Sequence, residues 1–255
     1  MKSLLKSLRP AIKSLLPRRL LQKARAAAWS MGDLRYGLKT GQWSLPPAYL
    51  RVKVCGMIPP DDYLAGGKRH ALTLLAAVKS TGDDPAKIAK VLDFGCGCGR
   101  VVSAFQSCLP QAHFYGTDAE ADLIAWPRRH LKDAEFQVNS VVPPLSYPDH
   151  SFDLIYAISV FTHLDEEQQF AWLEELRRTA KPGALLILTV LPLAEESKFE
   201  FVKNNAWSDF FPDHYHTAYH GRAYLQENWS RYFTILDYQV QAIGLQDAVV
   251  LRRPE

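Results

Sequence analysis

The chain has 255 residues, of which 47% are hydrophobic, 22% charged and 11% aromatic, the makeup of a folded globular protein and not of a disordered or collagen-like one. The sequence contains no apolar run of about 18 residues, which excludes a spanning helix, and its length suits one domain with extensions. The net charge of +3 hides an asymmetry: residues 1–32 hold eight basic side chains and no acid, which leaves 22 basic against 27 acidic residues, a charge of −5, on the remainder.

Leu4, Leu5, Leu8, Ile12, Leu15 and Leu16 recur at helical spacing with Lys and Ser opposite. Pro10 and Pro17 kink or divide that helix. Lysines interrupt the leucines, so the continuous apolar core of a secretory signal does not form. Three readings stay open for residues 1–28: peripheral contact with an anionic membrane surface, a targeting arm, or an ordinary helix packing its leucines on the body. From Trp29 to Pro60 the chain is rich in Gly, Pro and aromatics and reads as an irregular cover. Residues 1–59 are thus expected to form an arm and cover segment, and residues 60–255 the main domain. Four cysteines, with Cys96 and Cys98 only two apart, make a poor disulfide framework. They point to a reducing compartment, most simply a cytoplasmic one.

After Pro59-Pro60, Asp61 or Asp62 caps a predicted helix whose apolar stripe is Leu64, Ala71, Leu75 and Val78. A strand over 88–94 runs straight into Gly95-Cys96-Gly97-Cys98-Gly99. The spacing then predicts a helix over 100–108, a strand over 113–117, a helix over 121–131 and strands over 134–139 and 152–158. Asp165 and Gln168 have capping-box spacing and open a helix that buries Phe170, Leu173 and Leu176 and stops at Lys181-Pro182-Gly183. Residues 184–190 are continuously apolar, as a strand covered on both faces must be. A helix over 222–231 leads to strands over 233–243 and 247–252, joined at Gly244 by a turn so short that they must pair antiparallel. This alternation defines an α/β fold with a Rossmann-like, doubly wound, mostly parallel sheet and one reversed strand.

The glycine run lies at the strand-to-helix junction where open α/β sheets bind ligands. Its glycines permit positive φ and let a ligand approach backbone amides. Asp118 ends the next predicted strand, where a carboxylate accepts both ribose hydroxyls of an adenosine. The dinucleotide fingerprint is broken, because Arg100 stands where a third small residue belongs. The phosphate loop is absent, because Arg100-Val101 follows the glycines. The spacing suits a ligand without a pyrophosphate.

Val91-Leu92-Asp93-Phe94-Gly95-Cys96-Gly97-Cys98-Gly99-Arg100 resembles the first motif of class I S-adenosylmethionine-dependent methyltransferases. Gly116-Thr117-Asp118, the strand Phe152-Asp153-Leu154-Ile155-Tyr156-Ala157, and Leu176 to Val190 with its Lys181-Pro182-Gly183 turn follow in the family's order. The resemblance covers about residues 60–253 and implies a seven-stranded sheet with a reversed last strand, S-adenosyl-L-methionine as cofactor, and methyl transfer. It places Gly95, Cys96 and Gly97 against the methionine and ribose portions, Asp118 on the ribose hydroxyls and Ala119 beneath the adenine. Ser140 and Val141 would edge the adenine, Ile158 or Ser159 would face the methionine end, and Asp93 would order the loop and sense the amino group. Asn139-Ser140 departs from the acid often found after the third strand.

Transfer from a sulfonium is an in-line displacement in which the protein mainly aligns the reactants and excludes water. A base helps when the acceptor is a hydroxyl or a protonated amine. His163, just past the fourth strand, is the candidate base, and equally a candidate for a hydrogen bond at a helix start. The insertion over 192–221, with Trp207, Phe210, Phe211, Asp213, His214, Tyr215, His216, Tyr219 and His220, is placed to form a substrate lid for a ring-bearing or polyhydroxylated acceptor. Neither Cys96, Cys98 and Cys108 nor Asp213, His214, His216 and His220 has a recognised zinc spacing, so no metal is expected. Few Lys or Arg interleave the aromatics and the body is acidic, so no nucleic acid is expected. The reading is a small-molecule methyltransferase acting on oxygen or nitrogen of a sugar-like, lipid-linked or secondary-metabolite acceptor. Its rivals are a nucleotide-dependent oxidoreductase and a non-catalytic donor-binding partner subunit.

Overall fold

A computed structural model describes residues 30–41, 45–56, 59–203 and 216–255. The expectations for residues 1–29 lie outside these, as do those for Trp207, Phe210, Phe211, Asp213, His214 and Tyr215. The chain divides into two compact units that meet at Pro60-Asp61.

In the first unit residues 30–40 are helical, and α1 follows at Ala48–Cys55. Buried Arg51 joins them, donating to the Pro46 carbonyl at 2.8 Å and pairing with Asp33. The expected irregular cover is corrected here. Glycine costs a helix only about 1 kcal/mol, so Gly32 and Gly37 are tolerated, and Pro46 and Pro47 precede α1, where no helical N–H is needed.

The second unit begins with α2 (Pro60–Ser80), followed by β1 (Lys90–Phe94), α3 (Arg100–Phe105), β2 (His113–Asp118), α4 (Ala121–His130), β3 (Ala134–Val138) and β4 (Phe152–Ala157). Then come α5 (Glu166–Thr179), β5 (Ala180–Pro192), β6 (Phe199–Val202), β7 (Thr217–His220), α6 (Arg222–Trp229), β8 (Thr234–Ile243) and β9 (Gln246–Arg252). Seven strands form the main sheet in the order β3-β2-β1-β4-β5-β9-β8. The first five run parallel, and β9 is antiparallel to both β5 and β8, the reversed last strand that the Gly244 turn required. Two further strands extend the sheet: β7 pairs with Leu191 and Pro192 at the end of β5, and β6 pairs antiparallel to β7.

Strand alternation sends Leu92, Phe94, Ile155, Leu186 and Leu188 to one face, against Trp172, Leu173 and Leu176 of α5 and Trp229 of α6. Val91, Leu154, Leu185 and Ile187 point to the other, against Ala71 and Leu74 of α2, Val102 and Phe105 of α3 and Ile124 of α4. Helices therefore cover both faces, which is why residues 184–190 are apolar without alternation. Asp165 Oδ1 accepts from the Gln168 amide (2.8 Å) while Gln168 Oε1 accepts from the Asp165 amide (3.2 Å), the capping box expected for α5. The Lys181-Pro182-Gly183 turn falls inside β5, not before it. The register against β4 slips between Phe152 and Leu154, and Gly183 takes a φ of +77° to absorb the extra residues. Among the described residues no helix is long and apolar enough to cross a membrane.

Candidate active site

The C-terminal ends of the parallel strands meet where β1 gives way to the glycine loop. Gly95, Gly97 and Gly99 have φ of +79°, +55° and +69°, left-handed values that an L side chain resists. A Cβ on Gly95 would also fall 2.2 Å from Val160 Cγ2, and one on Gly116 would lie 2.6 Å from the Phe136 ring and 2.9 Å from Cys96 Sγ. The loop is pinned to the end of β2, since the amides of Gly95 and Cys96 both donate to the Thr117 carbonyl, at 2.8 and 2.9 Å. Cys96 and Cys98 are buried, and burial raises the Cys96 thiol well above its usual pKa, so Cys96 acts as a small apolar filler. No disulfide joins any of the four cysteines.

Asp118 ends β2 and is half-buried. Its Oδ2 accepts from the Gly97 amide and its Oδ1 from the Glu120 amide, both at 2.9 Å. The carboxylate is thereby fixed against the glycine loop. Ala119, Ser140 and Val141 are exposed beyond the ends of β2 and β3. Asn139, which stands in place of the expected acid, accepts from Thr117 Oγ1 at 2.7 Å and donates to the Ser140 carbonyl at 2.6 Å. Its side chain thus braces the strand ends. Asp93 is buried, and its Oδ2 accepts from Tyr156 Oη at 2.9 Å. Burial, reinforced by the charge of Asp118, pushes its pKa up to about 8.

Past β4, Ser159 has a φ of +61°, a strained value for a side chain that can hydrogen-bond locally. Its amide donates to Thr189 Oγ1 (2.8 Å), Thr189 Oγ1 donates to Gln246 Oε1 (2.6 Å), and Gln246 Nε2 donates back to Ser159 Oγ (2.7 Å). This ring ties together β4, β5 and β9. Nothing in the spacing of Thr189 or Gln246 announced it, because each looks like an ordinary strand residue until the sheet order brings them together.

His163 lies in the turn after β4, with Nδ1 2.6 Å from the His216 carbonyl. A carbonyl only accepts, so Nδ1 carries the proton and Nε2 the lone pair of the neutral ring. Burial holds its pKa below the usual histidine value. The Ala218 amide donates to the Thr162 carbonyl at 2.8 Å, so β7 docks on the same turn. His216 and Tyr219 are half-buried, whereas His220 is fully buried. The structure therefore sets His220 apart from an open lid. Gln169 Nε2 donates to the carbonyls of Phe161 (3.3 Å) and Leu164 (3.0 Å), so its Oε1 must accept, at 2.9 Å, from His220 Nε2. Among the described residues no three His, Cys, Asp or Glu side chains gather as metal ligands would.

A glycine-rich cradle beside a fixed carboxylate fits an adenosine-bearing ligand, and the sheet order is that of a Rossmann-like α/β domain of the class I methyltransferase type. Residues 91–183 match the family model described as a methyltransferase domain. An uncharacterized methyltransferase of Schizosaccharomyces pombe is 29% identical over 108 residues, 38% of this chain and 38% of that one. Norajmaline N-methyltransferase of Rauvolfia serpentina is 30% identical over 118 residues, 42% of this chain and 37% of that one. The chain thus spans less than half the length of these relatives. In fold it is similar to a Burkholderia thailandensis 1,6-didemethyltoxoflavin-N1-methyltransferase solved with 1,6-didemethyltoxoflavin and S-adenosylhomocysteine, with a TM-score of 0.58, 15% identity, and coverage of 81% of this chain and 86% of that one. By these likenesses residues 91–183 form a methyltransferase domain, the fold is that of class I S-adenosylmethionine-dependent methyltransferases, and the cofactor they indicate is S-adenosyl-L-methionine.

Proposed function

We propose that the protein methylates oxygen or nitrogen of a small molecule, a sugar-like, lipid-linked or secondary-metabolite acceptor. The observation that carries the donor half is the Asp118 carboxylate, bonded at 2.9 Å to the amide of Gly97 in the glycine loop. The bound donor supplies an electrophilic methyl group. Gly95, Cys96 and Gly97 lie along its methionine and ribose portions, Asp118 accepts from the ribose hydroxyls, and Ala119, Ser140 and Val141 flank the adenine. Ser159, held by Thr189 and Gln246, faces the methionine end. His163 Nε2 takes the proton of the acceptor as the methyl arrives, and His216 and Tyr219 line the acceptor side. Support for a small acceptor comes from norajmaline N-methyltransferase and from trans-aconitate 2-methyltransferase of Variovorax paradoxus, relatives whose names specify small molecules. We also propose that residues 1–28 meet an anionic membrane surface.

Calorimetric titration of S-adenosylhomocysteine, NADH and NADPH tests the donor site. Wild type is expected to bind S-adenosylhomocysteine at micromolar strength, Asp118→Ala to lose it at least tenfold, and the dinucleotides to stay silent. Binding of a dinucleotide instead would transfer the site to an oxidoreductase. Once an acceptor is in hand, His163→Ala is expected to lower turnover by about 10²-fold or more. Unchanged turnover in that variant between pH 6 and 9 would remove His163 as the base.

A further inference from the structure

Gln169 is fully buried on α5, where Trp172, Leu173 and Leu176 further along the helix are apolar. A buried amide is costly unless its donors and acceptor are met, and an apolar side chain would fill the position without that demand. The bonds it makes reach two separate segments. Nε2 donates to the carbonyls of Phe161 and Leu164, on either side of His163, and Oε1 accepts from Nε2 of His220 on β7. His220 is buried as deeply. Its ring packs edge-on against Trp229 with 5.8 Å between centres, and Trp229 packs edge-on against Phe161 at 5.2 Å. Aromatic contacts therefore join the same turn and strand that the amide bridges.

Strand β7 depends on that bridge. It has four residues, is paired to β5 through Leu191 and Pro192, and has an equally short strand, β6, on its other side. Yet β7 and the residue before it hold the turn that carries His163. The Ala218 amide donates to the Thr162 carbonyl at 2.8 Å, and the His216 carbonyl accepts from His163 Nδ1 at 2.6 Å. The second bond fixes the tautomer of the imidazole, because the proton stays on Nδ1 and the lone pair on Nε2 while that carbonyl is in place. A general base acts only if its lone pair is presented at a fixed position.

We propose that Gln169 and His220 are positioning residues for methyl transfer: together they clamp the turn carrying His163 to β7, so that the His216 carbonyl keeps the imidazole in its Nδ1–H tautomer. The inference rests on the reading of His163 as the base and extends it to residues that touch neither donor nor acceptor. The two readings fail separately. Unchanged turnover in His163→Ala removes the base, whereas the clamp is tested on the imidazole itself.

Long-range proton–nitrogen NMR of the full chain carrying 15N-labelled histidine reads the tautomer, with the His163 signals assigned by their loss in His163→Ala. The spectra are taken at about pH 8, where a histidine with a pKa below the usual value is neutral. Wild type is expected to show the Nδ1–H form. Gln169→Leu removes the whole bridge, and His220→Phe removes the bond to β7 while keeping a ring among the aromatics. Each is expected to shift the tautomer ratio by roughly tenfold towards the Nε2–H form, the worth of one hydrogen bond. His220→Gln keeps a donor for Gln169 and is expected to retain the wild-type signals. S-adenosylhomocysteine affinity, measured by calorimetry, should stay within about twofold in all three variants, because the glycine loop is held by other bonds. Should Gln169→Leu fail to fold, His220→Phe against His220→Gln decides alone. A wild-type tautomer in His220→Phe, or an equal shift in His220→Gln, would overturn the clamp. So would a loss of S-adenosylhomocysteine binding that runs parallel to the tautomer shift, since that marks general loosening of the strand ends.

Discussion

Asp93 sits at the end of a central strand, with Tyr156 bonded to its carboxyl, Asp118 and Arg100 acting on it through their charges, and Cys96 buried close by. Burial is the largest influence, and with a pKa of about 8 the carboxyl is protonated at pH 7. A ligand amino group brought against it favours the carboxylate form, so binding must release a proton. The free protein loses that proton through about pH 8, hence affinity rises as pH approaches 8 and levels above it. Calorimetry should show S-adenosylhomocysteine binding strengthening from pH 6 to 8, by up to roughly tenfold per unit for one linked proton, and nearly flat in Asp93→Asn. A pH-independent wild type would mean that the amino group is held elsewhere. The acid itself was legible from its place two residues before Gly95. Its partner was not, because Tyr156 in an apolar strand reads as core until β1 and β4 are seen side by side.

Within the second unit, the β6–β7 hairpin is an element that sequence patterning does not predict. Each strand has only four residues, and β7 is anchored by two residues of β5 and by the turn after β4, contacts distant in sequence. The parallel core was legible for the opposite reason, since strands buried on both faces need the continuous apolar runs that residues 184–190 display. His220 is the internal anchor of the hairpin, ringed by Phe199, Tyr224 and Trp229 and bonded to Gln169. Burial lowers its pKa to about 3. A group whose folded pKa is depressed contributes stability above the unfolded value, near 6.5, and loses it as pH falls towards the folded one. His70, lowered to about 4, acts in the same direction. Wild type is therefore expected to lose melting temperature steadily from pH 6.5 to 4. His220→Gln, which keeps an amide donor for Gln169, should show a shallower slope and start from a lower melting temperature at pH 7. Parallel melting curves for the two proteins across that range would mean that His220 protonates in the folded state and that the hairpin opens easily.

The charge of the whole chain is divided as sharply as its fold, with eight basic and no acidic residues in the first 32 and a charge of −5 on the rest. Near an anionic bilayer each basic side chain contributes about 1 kcal/mol, an attraction that falls off within a Debye length of roughly 10 Å at 0.1 M salt. Burial of leucine in the interface adds an apolar contribution that salt does not weaken. The two contributions can be separated experimentally. If residues 1–28 meet lipid, the full chain should float with phosphatidylserine-containing vesicles at low salt and much less with purely zwitterionic ones. Rising salt should release most of it, and the residue that stays bound measures the share held by Leu4, Leu5, Leu8, Ile12, Leu15 and Leu16. A chain lacking residues 1–30 should stay in solution under every condition, because the charge left on it has the wrong sign for that surface. Equal flotation of the two proteins would remove lipid as the partner of the basic segment and leave targeting, or packing on the body, to explain why so much positive charge is gathered at one end.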